Sequence, residues 1–182
     1  MTASLDISQD RALLWLMAIA CGLCAGTNYY AQPLIGSIQQ YFQVPEAQVA
    51  LTVTFAQVAY ALGLLLIVPL GDIVNKTKFI PILMLIAAVG LFISAFSSHI
   101  YMLWAGTILA SLFSVAAQVL IPFATMAVKP EKTGQVIGFL MSGLLVGILL
   151  STSLAGVFSA LWHWKAIYII SAILMLSLAY LL

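Results

Sequence analysis

The sequence predicts an all-α integral membrane protein with six transmembrane helices, on two observations. The first is composition: 64% of the 182 residues are apolar and 6% are charged, with a mean hydropathy of +1.18. A soluble domain carries about 25% charged residues, so this chain has too few charged groups to cover a globular surface in water. The second is distribution, because the apolar residues fall in six uninterrupted runs, at 13–31, 49–70, 79–97, 101–128, 136–159 and 166–182.

These runs have the length of membrane helices. Most reach the ~17–25 residues with which a helix crosses a hydrocarbon core of ~30 Å. Only helices and closed barrels satisfy their backbone hydrogen bonds in lipid, and barrel strands are about ten residues long. The first run continues to Ala31, and five more runs follow it, which favours a retained helix over a cleaved signal peptide.

The connections between the runs are short, with one exception. Residues 32–48 (QPLIGSIQQYFQVPEAQ) form the long connection, in which Pro45 and Glu46 suit the start of the second helix. Proline has no N–H to lose at that position, and an acid favours the positive helix end. The remaining connections are the charged turn PLGDIVNKTKF, then SSHI, KPEKTGQ and ALWHWK.

Charge placement predicts the orientation. Five of the six Lys and Arg residues lie on the side shared by the N-terminus and the even-numbered connections, namely Arg11, Lys76, Lys78, Lys129 and Lys132. Lys165 lies on the other side. Because short loops rich in Lys and Arg stay in the cytoplasm, we expect a multi-pass protein of the cell (inner) membrane with a cytoplasmic N-terminus.

Neutral polar residues mark where function is expected inside the spans. No Asp, Glu, Lys, Arg or His lies in the middle of a run, so the spans contain no obvious proton carrier or voltage sensor. The candidates for the lining of a polar cavity are Asn28, Tyr29, Gln57, Ser114 and Gln118. The spacing of Thr107, Ser111, Ser114 and Gln118 also places them on one helix face. The alternative is that hydroxyls bond their own helix carbonyls and Gln118 bonds a neighbouring helix.

Residues for catalysis or metal binding are not expected. Cys21 and Cys24 lie in one apolar run without an accompanying acid or histidine, so they are interpreted as small hydrophobes. His99 and His163 are interpreted as residues of the outer surface. The sequence therefore predicts no catalytic residue, no metal site, no cofactor and no nucleic-acid partner, and it does not favour an enzyme.

Small residues recur at four-residue spacing on two helices. Gly22 and Gly26 are spaced in this way in the first run. The fifth run carries two rows, Gly143, Gly147, Ser151, Ala155 and Ser159 in one and Gly134, Gly138 and Ser142 in the other. Such rows let helix backbones approach closely in a membrane, so we expect a tight helix seam.

Four stretches resemble a known family over nearly the whole chain. They are NYYAQPLI, QVAYALGLLLIVPLGD, VAAQVLIPFATMAVKPEKTGQVIGFLMSGLLVGILLS and WHWKAIYII. The sequence is similar to the N-terminal six-helix half of major facilitator superfamily transporters, in the branch of arabinose and drug exporters. The resemblance implies alternating access between two six-helix halves, which moves a small-molecule substrate outward across the lipid bilayer. The cavity candidates would then line the substrate site.

The resemblance also gives the charged turn a role. The family carries a G-x-L-x-D-R-x-G-R-R pattern there, similar to a latch whose acid engages the other half. Matched residue by residue, Asp72 would be the latch acid and Lys76 one of its basic residues. The chain departs from the pattern with Val68, Ile73, Asn75 and Thr77, and the alternative is a solvated turn. Thr107 and Ser111 stand where the family often has arginine and glycine, so proton coupling is not expected of this half.

Such transporters have about twelve spans, whereas six are present here. We therefore expect residues 1–182 to form one six-helix domain of an incomplete transporter, with the C-terminal half absent. Two alternatives are a half that works as a homodimeric pore or carrier, through a second copy of the chain, and a truncated remnant that does not transport.

Overall fold

The computed structural model of the protein describes residues 10–182, and these are helical almost throughout. No strand occurs in this part of the chain. The helices are α1 (Arg11–Gly26), α2 (Ala31–Phe42), α3 (Glu46–Leu66), α4 (Leu70–Ile73), α5 (Lys76–Ala95), α6 (Ile100–Phe113), α7 (Ala116–Met126), α8 (Thr133–Leu161) and α9 (Lys165–Leu181). Single turns of 3-10 helix follow α1 (Thr27–Tyr29) and precede α8 (Pro130–Lys132). Residues 1–9 of the predicted domain lie outside the described residues.

The predicted all-α membrane fold is confirmed. Five helical segments are long and apolar enough to cross a bilayer, namely Arg11–Tyr29, Glu46–Ile73, Lys76–Ala95, Ile100–Met126 and Pro130–Leu161. A sixth apolar helix, α9, has 17 residues, which is the lower end of the ~17–25 that span a membrane. The six predicted apolar runs thus correspond to six apolar helical segments, of which the last is the shortest.

Three helices begin at side chains that accept a backbone N–H of the first turn. Asp10 Oδ1 accepts from Leu13 N at 3.1 Å at the start of α1. Asn75 Oδ1 accepts from Thr77 N at 3.1 Å before α5, and His99 Nδ1 accepts from Met102 N at 3.2 Å before α6. The first N–H groups of a helix have no partner within it, so these caps set where the helices start.

The long connection predicted at residues 32–48 is itself mostly helical, because α2 occupies its first part. The backbone stays in the right-handed helical region through Thr27 and Tyr30, so α1 continues through the 3-10 turn into α2. The buried residues of α2 are Ala31, Leu34 and Ile38, which recur on one helix face. The helix ends at Gln43 with φ of 53°. Apolar runs mark only the part of a helix that lies in lipid, so they did not predict the amphipathic helix α2 that follows the first run.

The predicted seam of small residues joins α1 to α8. A Cβ added at Gly22 would lie 2.6 Å from the carbonyl oxygen of Gly143, and one at Gly143 would lie 2.7 Å from the carbonyl oxygen of Ala18. A second seam joins α5 to α6, where a Cβ at Gly90 would lie 2.8 Å from the carbonyl oxygen of Gly106. Only glycine permits these backbone approaches.

The second row on α8 does not form a seam. Neither Gly134 nor Gly138 has a neighbouring atom within 4 Å of an added Cβ. Ser142 donates to the Gly138 carbonyl of its own helix at 2.7 Å. This row therefore lies on a face of α8 that no other described residue covers, and spacing alone did not distinguish it from the row that packs.

The two rows provide a matched test of the seam. In the 182-residue chain, Gly147→Ala places a Cβ against the backbone of Gly22, so we expect a loss of about 1–3 kcal/mol in stability. Gly138→Ala meets open space and gains about 1 kcal/mol of helix propensity. Thermal unfolding in detergent should separate the variants in opposite directions from wild type. Equal melting temperatures for both would contradict close packing at Gly147.

Candidate functional site

A polar cavity of about 170 Å³ lies among the end of α1, the 3-10 turn that follows it, α3, α7 and α8. Its lining consists of uncharged residues, namely Ala25, Asn28, Tyr29, Gln57, Tyr60, Gln118, Leu144 and Ile148. Four of the five predicted cavity residues are among them, and they come from segments far apart in the sequence. The structure therefore brings Asn28, Tyr29, Gln57 and Gln118 together at one place.

The Asn28 amide is fixed in the wall of this cavity. The side chain is buried, and Nδ2 donates to Ser114 Oγ at 3.0 Å and to the Ala25 carbonyl oxygen at 3.5 Å. Ser114 Oγ in turn donates to the Ser111 carbonyl oxygen at 2.9 Å. Ser114 is fully buried and does not line the cavity. It lies behind the wall, where it holds Asn28.

A second polar contact joins α3 to α7. Gln118 Nε2 donates to the hydroxyl of Tyr60 at 3.2 Å. Tyr60 was not among the predicted site residues, although it follows Gln57 by three positions, which places both on one face of α3. Among residues 10–182 the Gln57 side chain has no hydrogen-bond partner, and it is exposed. An amide that is free in this way can donate to or accept from a bound polar group.

The predicted polar face of the fourth span divides between two cavities. That span consists of α6 and α7, which are separated at Ser114 and Val115. Gln118 on α7 lines the cavity described above, whereas Thr107 and Ser111 on α6 line a separate small cavity. A single straight helix would have kept all of them on one line, so the change in backbone course accounts for the difference.

The residues predicted as a latch lie at the break between α4 and α5. Lys76 Nζ lies 3.5 Å from Asp72 Oδ1. Val74 is extended between them, so the ion pair bridges two helices rather than turns of one. Asp72 is 81% exposed and Lys76 is 16% exposed. An ion pair with an exposed partner contributes only about 0–1 kcal/mol, and the Asp72 carboxylate stays accessible from outside the chain.

Comparison with known proteins decides the family. The profile of the Major Facilitator Superfamily matches residues 14–182. The chain belongs to the major facilitator superfamily. Its family membership points to a transporter rather than an enzyme.

Two relatives of this superfamily chain carry transporter names. A putative uncharacterized transporter of Escherichia coli K12, YgaY, is 44% identical over 168 residues, which are 92% of this chain and 43% of that protein. The probable transporter SCO4007 of Streptomyces coelicolor is 29% identical over 176 residues, which are 94% of this chain and 41% of that protein. The chain thus spans less than half the length of these relatives.

A solved structure shares the superfamily fold. The POT family transporter PepTSo, whose structure was determined in meso, superposes with a TM-score of 0.68 at 15% sequence identity. The match covers 90% of this chain and 35% of that one. At this identity the likeness concerns the fold alone.

The opposite end of this superfamily bundle holds Lys165 and both described histidines, away from the cavity. Lys165 Nζ donates to the Tyr41 hydroxyl at 3.0 Å and to the Ser97 carbonyl oxygen at 2.8 Å, which ties α9 to the ends of α2 and α5. His163 Nδ1 accepts from Lys165 N at 3.2 Å. Partial burial and the nearby Lys165 charge lower the pKa of His163. Within residues 10–182 no group of His, Cys, Asp and Glu is placed to hold a metal ion.

Proposed function

We propose that this chain is the N-terminal half of a secondary transporter that moves a small solute out of the cell by alternating access. The observation that carries the proposal is the convergence of Asn28, Tyr29, Gln57 and Gln118 on one uncharged cavity, in a chain of this superfamily. Substrate sites of such transporters lie between two halves that rock against each other. The neutral lining favours an uncharged or amphipathic solute, such as a sugar or a drug.

The size of the cavity fits a shared site. Its volume of about 170 Å³ is below the ~300–1,000 Å³ that encloses a drug-sized molecule. We interpret it as one wall of a larger site. The other wall would come from a C-terminal half, or from a second copy of the chain.

The cover of the helices supports this interpretation. In the most apolar stretches of the spans Glu46–Ile73 and Pro130–Leu161, 28% and 11% of residues are buried, against 50–61% for the other long spans. These two least covered spans supply Gln57, Tyr60, Leu144 and Ile148 to the cavity. A partner that packs on them would therefore close over the cavity as well.

The orientation remains part of the proposal. Arg11 precedes α1, Lys76 and Lys78 start α5, and Lys129 and Lys132 precede α8. Each of these positions follows an even number of crossings, whereas Lys165 follows an odd number. The excess of positive charge on the first side favours a cytoplasmic N-terminus in the inner membrane.

The native product should be about twice as large as this chain. With an N-terminal tag on the chromosomal copy, we expect a band in purified inner membranes near twice 19.5 kDa. We also expect external protease to digest the tag only after the cells are opened, because the tag lies in the cytoplasm. A band near 19.5 kDa would contradict the half-transporter proposal and leave a homodimer of halves or a non-transporting remnant. Digestion of the tag in intact spheroplasts would contradict the orientation.

Removal of a cavity amide should reduce transport without reducing abundance. In the full-length protein, Gln57→Leu and Gln118→Leu delete hydrogen-bonding groups of the cavity wall, and the loss of one such bond to substrate corresponds to about tenfold. The readout is accumulation of labelled neutral sugars and amphipathic drugs by cells that overproduce each variant. Gln40→Leu is the control, because Gln40 is exposed on α2 and does not line the cavity. Unchanged transport in both cavity variants would contradict the assignment.

The latch has a test of its own. If Asp72 engages the other half, Asp72→Asn should slow transport severalfold at unchanged abundance, and more than Lys76→Met does. If Asp72 acts only through the ion pair with Lys76, the two variants should be impaired equally, which would contradict the latch. Glu131→Gln is the control, because it removes an exposed acid in the next connection on the same side.

A further inference from the structure

A second cavity, of about 10 Å³, lies beside Asn28 among the 3-10 turn, α5 and α6. Its lining includes Asn28, Ser94, Thr107 and Ser111, which are 4%, 0%, 7% and 1% exposed. We call this group the four-oxygen cage. It differs from the polar cavity described above, with which it shares only Asn28.

The cage gathers nearly all of the unpaired polar atoms in the interior. Among the described residues, five buried side-chain nitrogen or oxygen atoms have no hydrogen-bond partner. Four of them belong to residues that line this one cavity, namely Asn28 Oδ1, Ser94 Oγ, Thr107 Oγ1 and Ser111 Oγ. Buried polar atoms are nearly always paired with protein or with ordered water, so their concentration at one place indicates an occupant.

The three hydroxyls forgo the partner that helical serine and threonine ordinarily use. Such side chains usually donate to a carbonyl of the preceding turn, as Thr27 does to Leu23 at 3.0 Å and Ser114 does to Ser111 at 2.9 Å. Ser94, Thr107 and Ser111 make no such bond. Their hydroxyls are thus available to a ligand in the cage.

We propose that a single water molecule occupies the cage and joins the 3-10 turn to α5 and α6. The volume suits one molecule, because a cavity needs about 10–15 Å³ to hold a water, which then makes 2–4 hydrogen bonds. The number of donors matches too. Asn28 Oδ1 can only accept, so the water donates to it and to one hydroxyl, and it accepts from the other two hydroxyls.

A sodium ion matches the cage less well than water does. All four oxygens would turn lone pairs toward the cation, which would leave the hydroxyl protons without an acceptor. No carboxylate lines the cavity, and an isolated charge is costly to bury. Water gives each of the four oxygens a hydrogen bond, leaves one hydroxyl proton rather than three without an acceptor, and carries no charge.

The water fixes the second end of the Asn28 amide. Nδ2 is held by Ser114, and the water would hold Oδ1. Ser94, Thr107 and Ser111 are therefore positioning residues for the wall of the larger cavity. The relevance of that position to transport rests on the proposed function, whereas the water itself does not.

A single isosteric substitution distinguishes a hydrated cage from a dry one by the direction in which the melting temperature changes. In the full-length protein, Thr107→Val removes one hydroxyl with little change in the shape of the side chain. If the water is present, a bond is lost and we expect the melting temperature to fall by about 2–4 °C. If the cage is dry, an unpaired polar atom is removed and the melting temperature should rise, which would overturn the proposal. Thr152→Val is the control, because Thr152 Oγ1 bonds carbonyl oxygens of its own helix.

Three further measurements keep the proposal testable if Thr107→Val fails to fold. A high-resolution map should show one peak at about 2.7–3.2 Å from the four oxygens, and an empty cage would overturn the water. A melting temperature higher in NaCl than in KCl at equal ionic strength, with the difference lost in Ser94→Ala, would assign a cation instead.

The positioning of Asn28 has a test of its own. The side-chain amide resonance of Asn28 should shift in Ser111→Ala and not in Thr152→Val, and an unshifted resonance would overturn the positioning role. None of these readouts depends on transport.

Discussion

The close approach of α1 to α8 is the contact on which the rest of this structure depends. Lipid chains are as apolar as the helix surfaces, so the hydrophobic effect does not draw membrane helices together, and association depends on packing and interhelical hydrogen bonds. The backbone contact between Gly22 and Gly143 provides the packing. It also places the cavity wall, because Leu144 and Ile148 follow Gly143 and Gly147 on α8 while Ala25 follows Gly22 by three positions on α1. A wider seam would separate these lining residues.

Hydrogen bonds between helices then determine which polar groups stay free for a ligand. In a membrane interior a side-chain amide without a hydrogen-bond partner is costly. Asn28 finds Ser114, and Gln118 finds Tyr60. Gln57 makes no bond within the described residues, and the buried hydroxyls of Ser94 and Thr107 lack partners there as well. The paired amides give the cavity its shape, and the unpaired polar groups are where a solute or a water can bind.

The helices and four residues of the cavity lining could be predicted from the sequence because both depend on the free energy of placing single residue types in lipid or in the protein interior. An uncharged run of about 20 residues suits lipid, and a buried amide is expensive unless it has a structural or functional purpose. What it could not predict depends on partners. Gly138 and Gly147 have the same spacing, but only Gly147 meets another backbone. The paired role of Tyr60 and the separation of Thr107 from Gln118 depend likewise on where α3 lies and on the break between α6 and α7.

Alternating access, as proposed, requires that the six membrane-spanning segments move as one unit, and the contacts between them are distributed to allow this. The seams join α1 to α8 and α5 to α6, and Lys165 joins α9 to α2 and α5 at the end away from the Asp72 turn. The least covered surfaces lie on α3 and α8, which also flank the cavity. Motion relative to a partner would therefore occur along these two helices and leave the seams intact. An exposed acid such as Asp72, beside the end of α3 rather than within a seam, can then favour one position of the partner without a change in the packing of its own half.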